Sequence, residues 1–133
     1  MDNKELIELA GKARKASYSP YSGYAVGAAL LCADGTVYLG CNIENAAFSP
    51  TVCAERTAFF KAVSDGKRDF SKIAIVGGKT DEPDGFSPPC GVCRQVMSEF
   101  CGKNFKVLLL RNGEIIEKTF EEILPLNFDS SMM

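Results

Sequence analysis

Histidine is absent from all 133 positions of this chain. That excludes Ser-His-Asp and Cys-His catalysis, and it confines any metal site to cysteine and carboxylate ligands. A general acid or base near neutral pH must then be a carboxylate with a raised pKa, a lysine or a cysteine. Runs of lysine or arginine are missing too, and 15 basic against 17 acidic residues leave a net charge of −2. The basic footprint of a nucleic-acid binder is therefore not there. No apolar stretch approaches the ~20 residues a membrane helix needs. The start Met1-Asp2-Asn3-Lys4-Glu5 lacks the basic-then-apolar pattern of a secretory leader. The expectation is a cytoplasmic protein without a membrane or nucleic-acid partner, whose six cysteines are thiols or metal ligands rather than disulfides. No repeat, low-complexity stretch or linker divides it, so residues 1–133 read as one domain.

What is present alternates between helical and extended patterns. Asn3 is placed to cap a first helix with Leu6, Leu9, Ala10, Ala13 and Ala16 on one face. A loop rich in Ser, Pro and Gly follows over 17–23. Val26 to Cys32 and Thr36 to Cys41 read as a hairpin around Asp34-Gly35. Ala54 to Ser64 is a second helix and Ile73 to Gly77 a buried strand. Lys79 to Pro89 is a loop with no evident role, and Gly91 to Cys101 is a third helix. Phe105 to Leu110 and Glu114 to Lys118 flank Asn112-Gly113, a type I′ hairpin signal. Thr119 and Glu122 have capping-box spacing for a short last helix. This mixed order predicts one sheet with helices packed on its faces.

The cysteines carry the chemistry. In Cys90-Gly91-Val92-Cys93 the two sulfurs fall on one helical face and can reach one atom. A lone pair of this kind also fits a redox centre, half a zinc ribbon, or coincidence. Cys53-Ala54-Glu55 opens another helix. Residues two apart inside a helix diverge by about 200°. They share a pocket only if Cys53 lies just outside the helix and Glu55 in its first turn. Alone, Cys53 reads equally as an ordinary buried cysteine, and Glu55 as a solvated first-turn glutamate. Together, Cys53, Cys90 and Cys93 offer three thiolates at two helix N-termini, which leaves a fourth tetrahedral position for water, the pattern of a catalytic zinc. Helix N-termini favour the thiolate form. Three thiolates outweigh the charge of Zn²⁺, so a nearby cation is expected to compensate. Arg56 is favoured over Arg94. Cys32, Cys41 and Cys101 read as core or surface thiols.

Cys53-Ala54-Glu55-Arg56 with Pro89-Cys90-Gly91-Val92-Cys93-Arg94-Gln95 resembles the paired signature of zinc nucleoside deaminases. Cys41-Asn42-Ile43-Glu44-Asn45-Ala46-Ala47 resembles the nucleoside-binding segment of cytidine deaminases in particular. Ser19-Pro20-Tyr21-Ser22 and Val26-Gly27-Ala28-Ala29-Leu30 resemble that family as well. The resemblance implies a three-layer α/β/α fold around a five-stranded mixed sheet. It also implies one zinc per subunit and a homotetramer with sites near its interfaces. The implied reaction is hydrolytic deamination of cytidine and 2′-deoxycytidine in pyrimidine salvage, with Glu55 as the proton shuttle. Asn42 and Glu44, two apart in an extended segment, point the same way; by resemblance they bind the ribose, Glu44 at the 3′-hydroxyl. Ala54 and Tyr24 would also touch substrate, Tyr24 standing beside the base where Phe is expected. Phe128 either closes a neighbouring subunit's pocket or belongs to a frayed tail.

Other readings stay open at this point. A deaminase of blasticidin S or a related cytosine nucleoside would share the zinc core. A polynucleotide deaminase would share the chemistry but would want a basic surface. A structural zinc module would supply four protein ligands and leave Glu55 unexplained, and a redox protein would use Cys90 and Cys93 without metal.

Overall fold

Asp2, not Asn3, caps the first helix, its carboxylate accepting from the Glu5 N–H at 2.8 Å. Both residue types cap well, so local sequence did not separate them. Asn3 instead becomes the first residue of α1 (Asn3–Arg14). Its amide donates to Glu117 and accepts from Lys72, tying the helix to the sheet. The helix stops at Arg14, short of Ala16, because Ala16 and Ser17 close tighter bonds to Ala13 and Arg14. The computed structural model describes residues 1–133.

Five strands follow the expected hairpins: β1 (Tyr24–Cys32), β2 (Val37–Cys41), β3 (Phe70–Lys79), β4 (Lys106–Arg111) and β5 (Glu114–Thr119). They form one mixed sheet in the order β2-β1-β3-β4-β5. Only β3 and β4 run parallel. A parallel pair needs a crossover, and α3 (Gly91–Phe100) lies within it. Asn112 and Gly113 have φ of 51° and 79°, the two positive values a type I′ turn requires. Strand β3 is longer than the apolar run Ile73 to Gly77 because β1 pairs along its whole length, from Lys79 to Phe70.

Alternation along the strands builds the layers. Ala28, Leu30, Ile73, Ile75, Val107 and Leu109 pack against Ala54, Ala58, Phe59 and Ala62 of α2 (Ala54–Ser64) and against Met97 of α3. Their neighbours Ala29, Leu31, Ala74, Val76 and Leu108 face Leu6, Ile7 and Ala10 of α1. The result is the three-layer α/β/α fold with a five-stranded mixed sheet. Gly40 of β2 lets α2 settle onto the sheet: a Cβ there would strike the Ala54 carbonyl and lie 2.6 Å from the Ala58 nitrogen. That close seat aims the start of α2, with Cys53 before it, at the end of the sheet.

The loop after β3 has an anchor that the sequence did not advertise. Arg14 is buried at the end of α1. Its guanidinium donates to the carbonyls of Ala25, Lys79 and Glu82 and to Asp84 at 2.7–3.0 Å. After β5, the capping box of Thr119 and Glu122 starts α4 (Phe120–Ile123) as expected, and a 3₁₀ turn over Ser130–Met132 was not foreseen. No helix is long and apolar enough to cross a membrane.

Candidate metal and active site

Two helix starts converge. Cys53 is the extended residue that precedes α2, at φ −76° and ψ 157°, and Glu55 sits in the first turn. This is the one geometry in which both can face a common pocket. Cys90 holds the same position before α3. Cys93 lies one turn on, 1% exposed, and its N–H approaches Cys90 Sγ at 3.5 Å. The three sulfurs all lie within 4.8 Å of one another, with Cys53 and Cys90 at 3.6 Å. Zn–S bonds of about 2.3 Å in a tetrahedron put sulfurs about 3.8 Å apart. The donor set therefore fits a zinc ion with one position left over. Cys32, Cys41 and Cys101 are free thiols outside the cluster.

The charges around the sulfurs are arranged for an anion. Arg56 brings Nη2 to 3.4 Å from Cys53 Sγ. Hydrogen bonding from Cys93, with Arg56 and Cys90 adding to it, draws the Cys53 thiol down to about 5. Cys93 moves the opposite way, because it donates to Cys53 and is buried. The guanidinium of Arg56 thus stands against the sulfur whose thiolate form is favoured. Arg94 turns away from the cluster, to the carbonyls of Pro89 and Ile123. Glu55 is 4% exposed. Burial pushes its carboxyl up to about 7, and the neighbouring Cys53 charge pushes the same way.

The segment between β2 and α2 is bound directly to this centre. Ile43 exchanges two 3.0 Å backbone bonds with Val52, the residue before Cys53. Glu44 therefore projects beside the metal loop. Its carboxylate accepts from the N–H groups of Tyr21 and Ser22 at 2.9 and 3.1 Å and from Ser22 Oγ at 2.5 Å. These bonds, led by the Ser22 hydroxyl, hold it below the usual carboxylate range. Tyr21, Ser22, Glu44, Phe48 and Thr51 line a cavity of about 330 Å³.

Asn42 is occupied differently. Its Oδ1 accepts from Ser17 Oγ and the Val26 N–H at 2.5 and 2.9 Å, and its Nδ2 donates to the Tyr24 carbonyl at 2.8 Å. One amide hydrogen remains for a ligand. Ala54 is fully buried in the core, Tyr24 is partly exposed, and Phe128 is 59% exposed with its carbonyl held by Gln95. The structure brings neither aromatic ring into the cavity. Tyr21, Ser22, Phe48 and Thr51 had not been named as site residues. Phe48 carries a local signature visible only in three dimensions: φ is 47°, it is 71% exposed, and its ring meets Tyr21 edge-on at 6.2 Å. A bulky residue with positive φ marks strain, which clusters at functional sites.

The family described as the cytidine and deoxycytidylate deaminase zinc-binding region matches residues 1–109. A cytidine deaminase of Sporosarcina psychrophila is 53% identical over 126 residues, covering 94% of this chain and 90% of that protein. One from Halalkalibacterium halodurans is 51% identical, covering 100% and 98%. The crystal structure of cytidine deaminase from Burkholderia pseudomallei superposes with a TM-score of 0.88 at 43% identity, over 96% of this chain and all of that one (100%).

Proposed function

This chain belongs to the family of the cytidine and deoxycytidylate deaminase zinc-binding region and is a hydrolytic deaminase; on that premise we propose that it converts free cytidine and 2′-deoxycytidine to uridine and 2′-deoxyuridine, releasing ammonia, in pyrimidine salvage. The observation that carries the reading is the convergence of three cysteine sulfurs with the buried carboxyl of Glu55.

Cys53, Cys90 and Cys93 would hold one Zn²⁺ per subunit. When bound, zinc acidifies water and acts as a Lewis acid. Glu55 takes a proton from the attacking water and delivers it to ring N3, which makes C4 electrophilic. It then carries the remaining proton of the new C4 hydroxyl to the exocyclic amine, so that the C4–N bond breaks, the C4 carbonyl forms and ammonia leaves. A carboxyl that titrates near neutrality suits both transfers. Arg56 offsets the excess negative charge of three thiolates, supported by its 3.4 Å approach to Cys53.

Glu44 accepts from the ribose 3′-hydroxyl, and the remaining amide hydrogen of Asn42 adds a contact. In a polynucleotide that oxygen carries a phosphate, which the carboxylate would repel, and the net charge of −2 offers no compensating surface. Free nucleosides are therefore favoured. Copies of the chain associate as a homotetramer, which would cover the exposed rings of Tyr21, Phe48 and Phe128 and bring Phe128 or Tyr24 to a shared pocket. Six free cysteines support a reducing, cytoplasmic setting.

Glu44→Gln keeps an acceptor for Tyr21 and Ser22 but removes the charge. A hydrogen bond to a charged group contributes roughly 1.5–3 kcal/mol. The Michaelis constant for cytidine should rise roughly 10- to 100-fold, with a smaller change in kcat. Steady-state kinetics on the parent and Glu44→Gln check it, and an unchanged Michaelis constant removes the contact.

The function itself is tested by ultraviolet absorbance. Zinc-replete protein should convert the cytidine spectrum to that of uridine, and 2′-deoxycytidine likewise. Blasticidin S, run alongside, should react more slowly. If blasticidin S is consumed while cytidine is untouched, the ribose assignment is wrong although the zinc chemistry stands.

A further inference from the structure

The chain that leads into Cys90 is packed at Ser87 and Pro89, both buried, but has few hydrogen bonds of its own. Pro88 and Pro89 have no backbone N–H. From Phe86 to Pro89 one hydrogen bond fixes the backbone: Arg94 Nε donates to the Pro89 carbonyl at 2.8 Å. The Cys90 side chain is itself exposed, in contrast to buried Cys93, so its position depends on the backbone at buried Pro89. The same guanidinium donates through Nη1 to the Ile123 carbonyl at 2.5 Å. Ile123 ends α4, where carbonyls lack intrahelical partners. Two more bonds join α3 to the tail. Gln95 donates to the Phe128 carbonyl at 2.9 Å, and Asn127 donates to Ser98 Oγ at 3.2 Å.

We infer that Arg94 is a positioning residue for the metal: by bridging the carbonyls of Pro89 and Ile123 it fixes the backbone from which Cys90 reaches the ion, and it ties that ligand to the C-terminal segment. The inference rests on the zinc reading of the three cysteines. Its physical basis is the geometry of the guanidinium. A planar fork can hold two carbonyls at once, while a lysine ammonium on a flexible stem holds one poorly. A ligand freed to wander recaptures its metal less often. Groups that orient metal ligands in this way typically contribute 10- to 100-fold to affinity.

The test follows zinc leaving the holoprotein into excess coloured chelator, for the parent, Arg94→Met and Arg94→Lys. Arg68→Met is the control, because Arg68 also bridges two carbonyls, those of Val63 and Lys67, but at the far end of α2. Release should quicken about tenfold or more in Arg94→Met, less in Arg94→Lys, and not in Arg68→Met. Cobalt-substituted Arg94→Met should show a shifted thiolate charge-transfer band. Unchanged release in Arg94→Met, or equal acceleration in Arg68→Met, overturns the inference. Should Arg94→Met fail to fold, Arg94→Lys carries the test, and parent-like release from it overturns the inference too. A parent isolated without bound zinc would overturn the zinc reading as well; a zinc-bearing parent with indifferent Arg94 variants overturns this inference alone.

Discussion

Glu55→Gln should purify with its zinc and turn over cytidine about 10⁴-fold more slowly, or worse. The substitution keeps the shape of a buried side chain that is 4% exposed, so no cavity opens and the fold survives. It removes the ability to take up and release a proton. General acid–base catalysis contributes roughly 10² to 10⁴ for one transfer. Glu55 is assigned two transfers, and such roles are not simply additive. Zinc content should not change, because the three sulfurs form a set without the carboxylate. Metal analysis beside kcat separates the two effects. Near-normal turnover in a zinc-replete variant would sink the proton-shuttle role. Loss of zinc would instead make Glu55 part of the metal's hold.

Stripping zinc should abolish activity and lower the melting temperature by roughly 10 °C or more. A ligand that binds only the folded state stabilises it by about 4 kcal/mol when its free concentration is 1,000 times Kd. For a domain of this size each kcal/mol moves the melting temperature by several degrees, roughly 2–8 °C. The expectation is for the fold to persist without metal, since both hydrophobic clusters are built from strands and helices away from the sulfurs except at Ala54. Without the ion, Arg56 still stands 3.4 Å from Cys53 Sγ and offsets negative charge there. Calorimetry before and after chelation, then after zinc is returned, checks both halves. Activity that survives complete removal would discard the metal mechanism. An unchanged melting temperature would mean that the three cysteines do not hold the ion.

The elements that were read from local pattern emerged because their causes are local. Unbroken apolar runs marked β1 and β4, whose successive residues fill the two faces of the sheet, and Asn112-Gly113 imposed its turn by two positive φ angles. Boundaries drifted where the cause was a partner. Strand β3 runs from Phe70 to Lys79 because β1 lies beside it, although Ser71, Lys72 and Lys79 carry no strand signal. At α1 two good caps stood side by side, and the sheet contacts of Asn3 decided between them.

The site divides in the same way. Cysteine spacing and the absence of histidine made Cys53, Cys90 and Cys93 a candidate donor set, and the family resemblance added Glu55. The pairing of Cys90 with Cys93 and of Cys53 with Glu55 is short-range, since a cap and the first turn of a helix lie together wherever the helix goes, whereas the meeting of the two pairs is not. Arg14, in the last turn of α1, is buried and holds a loop 65 to 70 residues away. Asn42 spends its amide on Ser17, Val26 and Tyr24, and Glu44 gathers Tyr21 and Ser22 around a cavity that Phe48 helps to line. By itself the sequence determined which residues could bear the chemistry and which strands and helices would carry them. Only the tertiary structure decided which distant groups meet, because a buried hydrogen bond depends on where two remote backbones come to rest and not on the residues beside either partner in the chain.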